Sequence, residues 1–550
     1  MAIHAGNKGQ LVRPAPQSAQ VSRFPAPLMG MDSRATLSRE SLDHCVYSYN
    51  LLPIEQDMRV RKGYREWQTG LILDPQVFAG VHTIIPFDGI EEQGGQDRLF
   101  AVTNEGIWDV TQPAAQPTLK LGFTIITEAS GYGPYAHYVD NDESDVLFYA
   151  DQLNGLFAYD YLTDTWAQAT GIIGPVVDNI KYVTLHKQRL WLIEENSTSA
   201  WYLPIGSKQG DATQFFFGAK FRRGGYLEGI FSWSVDGGAG VDDMFVAVSS
   251  SGDVVVYQGD DPSSVETWSI KGTYFIGSLP VGPNFGTEQG GELFLLSSHG
   301  LVSMNSLLQG VDSEGLNPAS AAAKIAGILR RRMGKDRTRY GWSIEAIPSE
   351  GGLIISTPID TDNRPIQYYY NISLRAWALA RDLPAECFSS WKGKVTFGDA
   401  AGRVLYMDTQ ADNIKIAPTP GEINATPIEF SMLTSFTAFG QEGVFKRVSQ
   451  IRPDFVAIVA PAYFVQARYD YRLSEALNPV TGKPTFVSVW DDGLWDSAIW
   501  GEGEVGEAFN SAYGGWGIGR HIAVATKGYT YNTTRLIGWD VIYTTGGPNL

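Results

Sequence analysis

The chain reads as all-β: a β-propeller-like ring of about six to seven hairpin-based blades, followed by a C-terminal β-sandwich-like domain, with one short helix. Three observations predict this. A hairpin phrase recurs at near-regular spacing, the composition is rich in turn formers and aromatics, and longer alternating strands follow a Pro-bearing connector.

The phrase first appears as RLFAVTNEGIWDVT, Arg98 to Thr111, and returns from Asp145, Arg189, Asp243, Glu292, Gly352 and Lys394. Each copy is a run of β-branched and aromatic residues, a polar or Gly-bearing turn, and a second such run, the sequence form of a hairpin. Most turns carry an Asn-Gly, Ser-Gly, His-Gly or Glu-Gly pair, where Gly takes positive φ without a Cβ clash. Successive starts lie 42 to 60 residues apart. Propeller blades repeat every ~40 to 50 residues. Further strands fill the gaps: VHTIIPF precedes the first hairpin, and DTWAQA (Asp164 to Ala169), ETWSIKG (Glu266 to Gly272) and RAWALA (Arg375 to Ala380) each follow one. Their Trp is expected to pack the blade. The competing reading is an irregular multi-sheet β protein.

The composition suits such an assembly. Of 550 residues 43% are apolar and 12% aromatic, with 60 Gly and 28 Pro for many turns. Cys45 and Cys387 stand far apart, which excludes a disulfide framework or a zinc site built on paired cysteines and suggests buried thiols in a reducing cytoplasm. No run of about 18 apolar residues predicts a membrane span, and the N-terminus lacks the apolar core of a signal peptide.

Four regions follow. Residues 1–32, rich in Pro, Gln and Ser, read as an extended arm that orders against a neighbouring subunit. Residues 33–408 hold the propeller-like domain, 409–427 a polar connector, and 428–550 the C-terminal β-rich domain. There, alternation such as Phe464-Val465-Gln466-Ala467 predicts sheets with one buried face. The Trp- and Gly-rich stretch Val489 to Gly519 reads as a contact surface or a segment folded back on its own sheet.

The one expected helix is NPASAAAKIAGILRRRMG, with Asn317 as cap, Pro318 in the first turn and Gly334 as terminator. Arg330, Arg331 and Arg332 fall in its last turn, favoured by the helix dipole. With Lys335, Arg337 and Arg339 they form the only dense basic cluster in a chain of net charge −18, a candidate subunit or phosphate contact.

The search for chemistry assigns no catalytic residue, cofactor or metal ligand. Phosphate-loop, zinc-protease and nucleophile-elbow patterns do not occur. GPNFGTEQGG at Gly282 reads as a turn, and DNDESD from Asp140 lacks the Gly and distal Glu of a calcium loop. SVDGG from Ser234 is part of the Asp-box turn of sialidase propellers without the Trp that should follow. Seven histidines, His4, His44, His82, His137, His186, His299 and His521, are scattered. Acidic turns at Asp140, Asp142, Glu143, Asp242, Asp243, Asp260 and Asp261 could line a channel whose negative wall repels nucleic acid.

The stretch YSYNLLPIEQDMRVRKGYREW, Tyr47 to Trp67, resembles the N-terminal region of virion proteins of short-tailed (podovirus) bacteriophages, where an Asn-leading segment precedes R-x-G-Y/F. ENSTSAWYLPIGSKQGDATQFFFG from Glu195, the run Gly224 to Ser264 and the ending IGWDVIYTTGGP are similar to the same group. The resemblance implies a structural protein of the virion, a viral tail nozzle or tail hub subunit. It implies a β-propeller, usually a homohexamer, ringing the DNA exit channel for genome retention and DNA ejection. The implied partners are further copies of itself, the portal-adaptor or other tail proteins and a tail fibre or needle, with genomic DNA passing through unbound. It would be made in the host bacterial cytoplasm. A different class, a carbohydrate-active propeller enzyme such as a tail depolymerase, would need paired carboxylates in a cleft. A third is a soluble propeller scaffold of the host cell.

Overall fold

A computed structural model describes residues 18–34, 41–73, 80–90, 95–113, 116–141, 145–236, 241–308, 322–359, 365–415, 425–479 and 507–546, with the side chains of 235, 236, 241 and 242 excepted. Seven antiparallel units follow one another round a ring, at 81–122, 135–168, 180–216, 227–275, 286–303, 343–381 and 385–409. Here they are blades 1 to 7. Blades 1 to 4 are four-stranded, blade 5 has three strands, and blade 6 is the first four strands of an eight-stranded sheet. Blade 7 takes its fourth strand from the N-terminal side: Gly63–Gln68 pairs with Val404–Thr409. The ring is therefore closed by hydrogen bonds between its first and last segments.

All seven hairpin phrases are the second and third strands of a blade, from Arg98–Thr103 with Gly106–Asp109 to Lys394–Asp399 with Val404–Thr409. Their runs are buried on both faces because neighbouring blades cover both sides; in blade 4, Val246 and Val248 on one face and Phe245 and Ala247 on the other are all fully buried. The turn chemistry also holds. Gly252 adopts φ +88°, and a Cβ there would lie 1.9 Å from the Gly277 carbonyl oxygen. The recurring Trp packs its blade: Trp166 lies 5.4 Å from Tyr159 and also meets Phe100 of blade 1 edge-on, Trp268 stacks on Tyr257 at 5.5 Å, and Trp377 lies 4.7 Å from Tyr370.

The 60-residue gap between the fifth and sixth phrases has a structural cause. After its third strand, Gly300–Ser303, blade 5 continues into the helix Met304–Leu308, and later into Ala326–Asp336. Leu329 and Met333 of the second helix are buried in the same cluster as Leu296 and Leu301, so the helix caps the sheet where a fourth strand would lie. Among the described residues two α-helices thus stand where a single one was expected. The second runs through Gly334 to Asp336, because a Gly with neighbours on both sides in helical register costs only about 1 kcal/mol. Arg330 to Arg332 are accordingly mid-helix, and Lys335 is the basic residue of the last turn. Asn317 and Pro318 lie outside the described residues.

The second domain is a two-sheet sandwich. Cys45–Tyr49, Ile428–Thr434, Ile522–Thr530 and Ala462–Tyr469 extend blade 6 into the eight-stranded sheet. The facing sheet is built on Phe445–Ala457 and Thr534–Gly546. Both supply one core, in which Phe430 and Phe455 meet at 5.7 Å, and that core continues through Trp377 into blades 4 to 6. N-terminal residues take part as well. Gln20–Pro25 pairs along Thr534–Gly546 of its own chain, so the described part of the arm docks within the chain, and the sandwich draws on the strands Gln20–Pro25, Cys45–Tyr49, Leu51–Pro53 and Met58–Val60 besides those after 428. In chain order the propeller is an insertion into the sandwich.

Candidate functional site

The seven inner strands converge on the propeller axis. Each blade lends a side chain to a cavity of about 170 Å³: His82, Tyr135, Tyr182, Phe231, Asn284, Glu345 and Phe388. This is room for no more than a small cluster of waters. A duplex whose major groove alone is about 12 Å wide has no passage there. The polar groups of the axis are nonetheless ordered. His82 Nδ1 lies 2.8 Å from Glu386 across the seam between blades 1 and 7, its Nε2 lies 2.9 Å from Asn104 Oδ1, and Tyr132 stacks on its ring at 4.1 Å. On neighbouring blade 6, burial pushes the Glu345 carboxyl up to about 8, which favours its neutral form.

The acidic turns share one face of the ring, the face carrying the turns between first and second and between third and fourth strands. They do not converge. Asp140 is buried against Lys208 at 3.2 Å, Asp243 accepts from the Ser234 hydroxyl at 2.6 Å, Asp260 pairs with Lys187, and Asp261 lies 3.4 Å from Arg189. Asp260 and Asp261 therefore tie blade 4 to blade 3. Asp242 is the second residue of Val241–Ser249, while Asp142 and Glu143 lie outside the described residues.

The basic helix divides in two. Arg332 turns inward and Arg339, itself exposed, reaches back, to Asp336 at 3.1 and 3.2 Å and to the carbonyls of Pro358 and Ile359 at 2.6 and 3.0 Å. The two neutralise a carboxylate that is almost fully buried. Arg331, Lys335 and Arg337 are exposed, and Arg330 is half-buried. No three His, Cys, Asp or Glu side chains gather as a metal site among the described residues. Both cysteines are buried, and no described helix is long and apolar enough to cross a membrane.

The most completely built polar cluster is one the sequence points to only in part. The chain enters the propeller at residues 61–63 and leaves it at 409–412, and the two passages are clasped. Arg61 donates to both oxygens of Asp412 at 2.7 and 2.6 Å, to Asn50 Oδ1 at 3.0 Å and to the Arg381 carbonyl at 3.2 Å. Asn50, at φ 59°, donates from its amide to the carbonyls of Arg381 and Glu429 at 2.9 and 2.7 Å. Gly63 is forced by close approach, since a Cβ would lie 2.0 Å from the Ala411 carbonyl oxygen. Burial pushes the Asp412 carboxyl up, and the charge and hydrogen bonds of Arg61 oppose that shift. Asn50, Arg61, Gly63 and Tyr64 are the residues of the Asn-leading segment and R-x-G-Y motif, so the motif marks the junction of the two domains. Asp412, 351 positions away from Arg61, carries no local signal.

The fold defines a class, the β-propeller proteins. No family model and no curated protein matches the chain. Among solved structures it is similar to the WD40 β-propeller domain of Doa1, at 12% identity and TM-score 0.36 over 63% of this chain and 98% of that one. YCF48 bound to D1 peptide matches at 10% identity and TM-score 0.36, over 68% of this chain and 99% of that one. The extracellular domain of a hybrid two-component system from B. thetaiotaomicron matches at 12% identity and TM-score 0.39, over 74% of this chain and 51% of that one.

Proposed function

We propose that the chain is a structural subunit of a short-tailed phage virion, a tail nozzle or hub whose copies form a ring around the DNA exit channel. The observation that carries the reading is the phage-like Asn50/Arg61-x-Gly63-Tyr64 motif. Its Asn50 and Arg61 side chains, with Asp412, build the clasp between propeller and sandwich, as expected of a part that transmits load rather than one that opens around a substrate. The propeller axis holds a cavity of only about 170 Å³, too small for a duplex, so in this reading DNA passes between copies and not through a single propeller. The net charge of −18 per chain favours a wall that repels DNA. Rings are the closed product of head-to-tail contacts, for which the exposed Arg331, Lys335 and Arg337 and the N-terminal residues are the candidate elements. Native mass spectrometry tests the reading: a species of about six times 60.3 kDa is expected, and a monomer at every concentration contradicts it. The enzyme reading is tested separately by release of reducing sugar from host polysaccharide.

A further inference from the structure

The seam where the ring closes carries a second concavity, on the face that bears the acidic turns. A groove of about 570 Å³ runs between blades 7 and 1. Its floor is aromatic: Trp67, on the closing strand, stacks on Tyr406 at 4.5 Å and meets Trp391 edge-on at 5.8 Å. Cations form the rim. Lys392 Nζ sits 4.8 Å over the Trp391 ring and Lys394 Nζ 5.6 Å over Tyr406, with Arg65 beside them. The two lysine side chains are 55% and 44% exposed, so their ammonium groups reach solvent. Gln96 and Gln112 add amides to the lining. The Trp391 indole N–H is buried with no hydrogen-bond acceptor, whereas that of Trp67 is satisfied by the Val110 carbonyl at 2.7 Å.

We propose that this groove binds an acidic saccharide, a pyranoside carrying a carboxylate. The volume is in the range of small-ligand sites, about 300 to 1,000 Å³. Lys392 and Lys394 supply the charge that recognises the carboxylate, the amides meet ring hydroxyls, and the exposed part of Trp67 meets an apolar sugar face. Their present counter-ions are weak competitors. Asp97 holds Lys392 at 3.1 Å, and Asp408 is shared between Lys394 at 2.7 Å and Arg65 at 3.0 Å, all on partly exposed pairs. A nucleotide suits the groove less well, because base stacking needs an open aromatic face. The faces of Tyr406 and Trp391 are already covered by Trp67 and the two lysines. Asp97 is the only carboxylate lining the groove among the described residues, which makes this a binding site and not a glycosidase pair.

The test is isothermal titration of the full-length protein with trigalacturonate, maltotriose and a short oligothymidylate at ~0.15 M salt, with tryptophan fluorescence as a second readout. Trigalacturonate should bind at least tenfold more tightly than maltotriose and weaken with salt. The Lys392→Gln/Lys394→Gln variant, which removes the charges but keeps polar side chains, should lose at least tenfold in affinity with an unchanged melting temperature. Asp97→Asn should bind as well as wild type or better. No binding of trigalacturonate at millimolar concentration, equal affinity for maltotriose, tighter binding of the oligothymidylate, or indifference to the double Lys substitution would each overturn the proposal.

Discussion

Replacing Asp412 by Asn is the sharpest probe of how the two domains are held. The substitution preserves volume but removes the charge that faces Arg61, a side chain only 1% exposed. Arg61 keeps its bonds to Asn50 Oδ1 and the carbonyls of Lys62 and Arg381, none of which carries a charge. Removing one partner of a buried pair costs about 3 to 5 kcal/mol, because the other charge stays buried and uncompensated. A whole domain is stable by only about 5 to 15 kcal/mol, so the loss is severe. The effect should be local first. Hydrogen exchange at residues 50–64 and 409–415 should accelerate, and urea unfolding should separate into two transitions as propeller and sandwich uncouple. The Arg61→Met/Asp412→Leu double variant removes both charges and should recover most of the stability, since apolar replacement of a buried pair is often near neutral. Lys394→Ala, at an exposed pair, should change stability by less than about 1 kcal/mol. Stability of Asp412→Asn within ~0.5 kcal/mol of wild type, or a double variant no better than the single one, would refute the clasp.

Other expectations follow from burial and pairing. Glu345→Gln should flatten the pH dependence of stability. The folded carboxyl is raised from 4.5 to about 8, so its contribution falls as pH rises through that window, by at most ~5 kcal/mol and less because the cavity admits water; Tyr135 and Cys387 face the same carboxyl, and melting temperatures from pH 5 to 9 check it. Trp377→Ala, at a fully buried ring where blade 6 meets the sandwich, should destabilise by about 3 to 5 kcal/mol in urea titrations. Arg332→Ala should destabilise the helix Ala326–Asp336 by exposing the charge of Asp336, whereas Arg331→Ala should leave melting unchanged and, in the proposed ring, weaken association in a salt-sensitive way. Deleting residues 1–17 should leave melting unchanged but weaken ring assembly, and deleting through Pro25 should also lower stability by removing the strand paired along Thr534–Gly546.

The propeller was legible because its signal is local and repeated. Each hairpin phrase writes its own turn, and a strand covered on both faces shows as an apolar run. Blade 5 broke the pattern where a helix took the place of its fourth strand, and the long gap before Gly352 was the visible trace. The helix end was misjudged at Gly334 because packing of Leu329 and Met333 holds the helix past a residue of poor propensity. The role of the N-terminal residues could not be read locally: Gln20–Pro25 has no alternation that names its partner more than 500 positions away. The same holds for the sites. Arg61 and Gly63 stand in a conspicuous motif, but Asp412, Glu345 and the pairing of His82 with Glu386 come together only when the ring closes. The acidic turns were found singly, and the structure gives the described ones separate cations and hydroxyls on one face of the ring instead of a single shared site.

Electron microscopy of the purified full-length protein tests the central claim most directly. The account predicts rings of six copies whose central hole admits duplex DNA and lies between protomers, with each propeller axis too narrow for a duplex. Isolated two-lobed monomers, or a closed assembly with no hole wide enough for a duplex, would contradict it.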